Sequence, residues 1–400
     1  MIEAVNELSN GWLESTLGDV GKVSMCKRIL KKQTSATGDI PFFKIGTFGK
    51  EANAFITDQI YQDFKEKYSF PKKGDILISA SGTIGRRVIY DGKPAYFQDS
   101  NIVWIDNDEK VVLNEYLYMF YGACDWNPSK GATIARLYND DLRRIKIQFP
   151  KSLDEQKRIV ALLGTVFADL EQTRAKTEQN LKNARELFDS YLQQVFSQKG
   201  EGWVEKTLGE TVVVERGSSP RPIKNFQTTD EDGVNWIKIG DTKGITKYIT
   251  CTKEKITPAG AEKSRKVNEG DFILSNSMSF GKPYIMATSG YIHDGWFVFR
   301  LPEYIDTEFF YYLLSSPFVQ KQFQTLSSGA IVKNISGDLV KKAHLPIPPL
   351  AEQKSIADKL IETSKEIEKL EIIYNKKLSS IDELKKSILQ KAFSGELTHE

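Results

Sequence analysis

Two regimes of hydrophobic patterning alternate along the chain. In the first, short apolar runs bounded by turn residues read as strands: Asp75 to Ser79, a turn at Asp91-Gly92, then Asn101 to Ile105. A short helix is predicted near Glu115 to Tyr121, with a counterpart at Glu308 to Leu314. In the second regime glycine and proline nearly vanish: between Leu153 and Phe196, and between Leu350 and Phe393, Gly164 is the one exception. Each stretch is predicted to be a single long helix. Apolar or small residues recur every seven at Leu360, Ile367, Tyr374, Ile381 and Ile388, with Leu370 and Leu384 three places after two of them, the spacing of a coiled-coil seam. Subtracting 197 lands on Leu163, Leu170, Thr177, Ala184 and Tyr191, with Thr173 and Leu187 alongside. Neither helix can bury its stripe alone, so the two are expected to pair antiparallel within one molecule. The competing expectation is that each packs on its own domain.

The correspondence between the helices extends to the whole chain. GWLESTLG at 11–18 reappears as GWVEKTLG at 202–209, FKIG at 43–46 as IKIG at 237–240, and GDILIS at 74–79 as GDFILS at 270–275. Further along, Gly131-Ala132 matches Gly329-Ala330, Asp141-Leu142 matches Asp338-Leu339, and Glu155-Gln156-Lys157 matches Glu352-Gln353-Lys354. Six collinear matches mean two tandem copies, 11 to about 200 and 202 to about 397. The expected fold class is α+β: two mixed α/β domains separated by a pair of long antiparallel coiled-coil helices, with an internal pseudo-twofold repeat. The expected segments are a first domain at 1–150, a first helix at 151–199, a second domain at 200–348 and a second helix at 349–397.

Composition narrows the function by what it fails to show. The 400 residues suit two domains, and 40% hydrophobic residues suffice for packed cores. The start, MIEAVNELSNGW, does not read as a secretory signal, and no apolar stretch approaches a membrane span, so a cytoplasmic location is expected. Cys26, Cys124 and Cys251 lie far apart and form no close-spaced set with His293, His344 and His399, which argues for neither a metal site nor disulfides. Net charge is +2, and cuts at 150, 200 and 350 give basic against acidic counts of 20 to 19, 8 to 7, 18 to 17 and 9 to 10. No segment is a basic tail, so any DNA-binding face must come from placing Lys and Arg on one side.

The layout resembles the specificity subunits of Type I restriction-modification systems. The motifs that carry the resemblance are GWLESTLG and GWVEKTLG, GDILISASGTIG and GDFILSNSMSFG, FPKSLDEQKRI and IPIPPLAEQKSI, and LQKAFSGEL. The first long helix opens FPKSLDEQ where the family form is closer to the IPPLAEQ of the second copy, but both keep Pro150 or Pro348 ahead of a Glu-Gln pair. The resemblance implies two target recognition domains reading a bipartite, interrupted site on double-stranded DNA. It also implies two methyltransferase subunits and motor-nuclease subunits as partners, with S-adenosylmethionine, ATP and Mg expected only in those partners and no membrane. The chain itself is then no enzyme, with no catalytic residue, metal or cofactor of its own. Consistently, the sequence contains no GxxxxGK[ST] phosphate loop, no Asn-Pro-Pro-aromatic motif and no glycine-rich cofactor loop after a strand.

Candidate DNA contacts are cations in corresponding loops. Lys44 matches Lys238, Arg86 matches Lys282, and Arg136 in GATIARL matches Asn334 in GAIVKNI; Arg87, Lys130, Lys243 and Lys333 flank these positions. The first two pairs keep their charge, which suits phosphate contacts. The third changes type, and Arg favours guanine edges where Asn favours adenine edges. Gly74, Gly85, Gly270 and Gly281 read as turn residues, and Phe42, Trp104, Trp236 and Trp296 as core. Two other functions stay open at this point: a non-enzymatic coiled-coil scaffold binding proteins, and a nuclease built on Asp106, Asp108, Glu109 and Lys110.

Overall fold

The computed structural model describes residues 6–8, 11–126, 136–198, 200–276, 281–327 and 335–396. It divides into two compact units, the first made of 1–177 and 376–400, the second of 178–375. The long helices run Leu153–Ser197 and Leu350–Phe393, each 44 or 45 residues, so both cross from one unit into the other partway along. Among the described residues no helix is long and apolar enough to span a membrane.

In each unit the GW motif closes the globular domain. Trp12–Thr16 pairs antiparallel with Lys146–Pro150, and Val204–Thr207 with His344–Ile347, so the first strand of each copy meets the strand that leads into its long helix. The shared Thr-Leu-Gly then has a plain physical reading. Thr16 and Thr207 cap the short helices Leu17–Val20 and Leu208–Thr211, with Asp19 and Glu210 returning a bond to the cap backbone. Leu17 and Leu208 are fully buried. A Cβ on Gly18 or Gly209 would come within 3.0 Å of the Arg143 or Lys341 Cβ, so a glycine keeps the contact open.

The body of each domain holds two sheets. In unit 1, Lys22–Ser24, Ile102–Asp106, Ile76–Ser79 and Arg87–Ile89 form one, and Phe55–Ile56, Ile40–Phe43 and Tyr96–Phe97 the other. In unit 2 the sheets have five strands each, centred on Phe272–Ser275 and on Val234–Ile237. The strand pair Ile40–Phe43 with Tyr96–Phe97 is parallel, as is Val234–Ile237 with Gly290–Ile292. The predicted short helices are present at Asn114–Phe120 and Thr307–Ser315. The helices Asp58–Lys67 and Pro317–Ser327 were not expected from the pattern.

The long helices complete the cores. Ile159 and Leu163 from the start of the first helix, and Leu389, Ala392 and Phe393 from the end of the second, belong to the main core of unit 1. Leu192 and Phe196, with Ala357 and Leu360, do the same in unit 2. Antiparallel pairing is direct in unit 1: Glu171 meets Lys385 and Arg174 meets Asp382, so three residues forward on one helix are three back on the other. The expectation that each helix packs only on its own domain is therefore replaced by one in which each domain holds the start of one helix and the end of the other.

The seam needs one correction. Leu163, Thr177, Ala184, Leu360 and Ile381 are buried, and Leu170, Tyr191, Ile367, Tyr374 and Ile388 are half-buried. The companion row does not run three residues later: Leu187, Leu370 and Leu384 are 65%, 38% and 48% exposed. It runs four later, through Phe167, Arg174, Leu181, Phe188 and Val195 on the first helix and Ser364, Glu371, Leu378, Lys385 and Ala392 on the second. Hydrophobicity misses this row because three of its members are charged and form ion pairs across the seam.

Candidate nucleic-acid interface

The Lys-Ile-Gly motif forms the same turn in both domains. After Ile40–Phe43, the Lys44 N–H donates to Thr47 Oγ1 at 3.1 Å, and the Ile45 N–H donates to Gln98 Oε1 at 2.9 Å. After Val234–Ile237, the Lys238 N–H donates to Asp241 Oδ2 at 2.8 Å, and the Ile239 N–H lies 3.3 Å from His293 Nε2. A second N–H, that of Gly295, lies 2.8 Å from His293 Nδ1, and a neutral imidazole accepts from one of the two at a time. Burial pulls the His293 pKa down, which favours that neutral, accepting ring.

A second loop folds against the first. In unit 1 the Gly85 N–H donates to the Ser79 carbonyl at 3.0 Å, with Gly85 at φ +80°, and a Cβ there would lie 2.0 Å from the Trp126 indole nitrogen. Gly281 repeats the bond to Ser275 at 3.0 Å with φ +77°. The next residue in each copy is the cation. Arg86 Nη1 donates to the Phe48 carbonyl at 2.9 Å, and Lys282 Nζ to the Ile245 carbonyl at 3.3 Å. The two loops named by sequence matching are thus drawn together in both domains by a bond from the cation to a backbone carbonyl, four residues past Lys44 in one and seven past Lys238 in the other.

The other candidates diverge. Lys44 is exposed and has no side-chain hydrogen bond or ion pair among the described residues. Lys238 is instead ion-paired with Glu254, which holds the Glu254 pKa below its usual value. Lys243 is exposed. Arg87 turns inward, its guanidinium 4.5 Å from the centre of the Tyr118 ring and against Gly122. Arg136 is half-buried, with Nη2 donating to the Ser100 carbonyl at 3.0 Å. Lys130, Lys333 and Asn334 lie outside the described residues.

Sequence matching missed a further basic segment beside each first sheet. Lys27, Arg28, Lys31 and Lys32 are all exposed in the connection after Lys22–Ser24. In unit 2 the corresponding connection carries Arg221 and Lys224, which line a concavity of about 930 Å³ together with Lys238, Trp236, His293 and Asp294. The signal is KRILKK itself, four cations in six residues, hidden within the near-neutral balance of residues 1–150. The acidic run gives no comparable site: Asp106 pairs with Lys72, Asp108 with Lys110, and Glu109 accepts from the Asn114 N–H at 2.8 Å.

The profile of the Type I restriction modification DNA specificity domain matches residues 9–181 and, a second time, residues 200–375. The chain belongs to that family. A Haemophilus influenzae protein provisionally named as type I specificity subunit S.HindORF215P is 65% identical over 147 residues, which are 37% of this chain and 38% of that protein. The MjaVIII specificity subunit of Methanocaldococcus jannaschii is 25% identical over 81% of this chain and 79% of its own length. The fold is shared with a chain solved in work on complex assembly and conformational transition of the type I R-M system (TM-score 0.76, 17% identity, 97% and 99% covered). It is shared too with the HsdS subunit of Thermoanaerobacter tengcongensis (TM-score 0.56, 18% identity, 99% and 100% covered). As a type I specificity subunit, the chain carries its duplicated loops on two family domains, and the profile restarts close to where the second GW motif begins.

Proposed function

We propose that the chain reads an interrupted, two-part target on double-stranded DNA, one half per recognition domain, and directs methyltransferase and motor-nuclease subunits to it. It performs no chemistry itself, and S-adenosylmethionine, ATP and Mg act in the partners. The observation that carries this reading is the duplicated pair of loops, in which Arg86 and Lys282 each donate to a backbone carbonyl, Phe48 or Ile245, in the segment that follows the Lys-Ile-Gly motif. A surface built twice from cations suits a ligand with the same charged backbone at both places. Lys44, Arg86, Lys243 and Lys282 are assigned to phosphates, Arg136 to a base edge in one half-site, and Asn334 to the other. The exposed Lys27, Arg28, Lys31 and Lys32 extend the phosphate surface of the first domain.

Methylation-sensitive sequencing of host DNA with and without this gene tests the reading. The expected result is an interrupted motif, with a modified adenine in each half, that disappears with the gene. A methylation pattern untouched by deletion of the gene overturns it.

A further inference from the structure

Of three ion pairs across the helix seam, two have the same sense and the third, Glu171 with Lys385, is reversed. On the first long helix the paired residues Arg174 and Arg185 are both cations, and on the second their partners Asp382 and Glu371 are both anions. Arg185 is bidentate to Glu371, at 2.8 Å through Nε and 3.3 Å through Nη2. The repeat offset of 197 makes Glu371 the equivalent of Arg174, and Asp382 the equivalent of Arg185. The two copies therefore carry opposite charges at equivalent places.

That inversion decides what each helix can pair with. If a second first helix took the place of the second one in the same antiparallel register, Asp382 would be replaced by Arg185, and Arg174 would face Arg185. Twofold symmetry would repeat the clash. Glu171, which now meets Lys385 at 2.9 Å, would face Phe188 instead. Two second helices would set Glu371 against Asp382, again twice, relieved in part by Lys385 meeting Glu368. The apolar seam differs in size as well, with Thr177 and Ala184 on the first helix where Tyr374 and Ile381 stand on the second, and to that the charged row adds a choice by sign.

We propose that the seam carries a charge code that fits the first long helix to the second and rejects a second copy of the same helix. The code favours a molecule that joins its two different domains over assemblies of identical halves. It does not depend on DNA being the ligand.

The test uses the full chain, because residues 376–400 belong to unit 1 and a half-chain would lack them. Glu371→Arg with Asp382→Arg gives the second helix the charges of the first, and Arg174→Glu with Arg185→Asp gives the reverse. Each double variant should lower the thermal midpoint by about 3–8 °C in low salt, with much of the loss removed at about 1 M salt. Arg174→Gln with Arg185→Gln, which removes attraction without adding repulsion, should fall between the parent and the charge-matched chains. The quadruple variant, with the code exchanged whole, should recover most of the loss, and it decides the matter even if a double variant fails to fold. Double variants no less stable than the neutral one, or a quadruple variant no more stable than the doubles, would overturn the proposal.

Discussion

The two recognition domains share a framework and differ in how they spend their charges. Both turn the chain at Lys-Ile-Gly with a side chain three residues on accepting from the lysine N–H. Both place a cation after a left-handed glycine and bond it to the neighbouring loop. Yet Lys44 is exposed without a side-chain partner among the described residues, while its match Lys238 is held by Glu254 beside a concavity that Arg221 and Lys224 also line. The backbone bonds survive duplication because they fix the loop. The lysine's side-chain partner is free to change because the turn is closed through its backbone N–H. A matched lysine in a repeat thus signals a matched loop before it signals a matched contact.

The largest effects should come from the long helices, where the comparison is most easily broken. Phe393 packs edge-on against Tyr116 and Phe120 in unit 1, and its equivalent Phe196 against Phe309 in unit 2. Phe393→Ala should cost about 3–5 kcal/mol and raise amide hydrogen exchange in the first domain, with Phe196→Ala doing so in the second. Exchange rising instead in the domain that precedes each helix in sequence would contradict the packing.

Next come the matched glutamines. Gln156 is fully buried, with Nε2 donating to the Val111 and Pro150 carbonyls at 2.8 Å and Oε1 accepting from the Leu113 N–H at 2.9 Å. Gln353 repeats this clip with the Tyr304 and Pro348 carbonyls and the Asp306 N–H. Leucine at either position leaves buried backbone groups unpaired and should cost about 1–3 kcal/mol in all, by similar amounts in the two units. Denaturant melts of the two variants check whether the framework is as symmetric as its bonds.

Arg136→Ala should relax one half-site by about 1–3 kcal/mol and leave the other unchanged, read by methylome mapping or competition binding. An even loss over all sequences would return Arg136 to the phosphate group. The smallest effect sharpens the comparison of lysines. Lys44→Ala should lower the slope of log affinity against log salt by about 0.9, the value of one phosphate contact, whereas Lys238→Ala, starting from an ion pair, should change it less. Equal slopes would mean that Glu254 releases Lys238 when DNA is bound.

The sequence by itself determined the duplication, the strands around Ile76–Ser79 and Ile102–Asp106, and the presence of two long helices, which run Leu153–Ser197 and Leu350–Phe393. These are properties of periodicity and of self-similarity, which a chain displays without folding. It also singled out Gln156 and Gln353, though not what they hold. Tertiary structure alone decided that Leu389 and Phe393 complete the core of the first domain, that the second seam row contains Arg174, Glu371 and Lys385 in place of Leu187, Leu370 and Leu384, and that Lys238 is neutralised where Lys44 is not. Each of these depends on a partner that pattern cannot supply, whether roughly two hundred residues away across the seam or, like Glu254, on a neighbouring strand. An apolar period records only that a face is buried, and a charge is read as solvated until its counter-ion is brought against it.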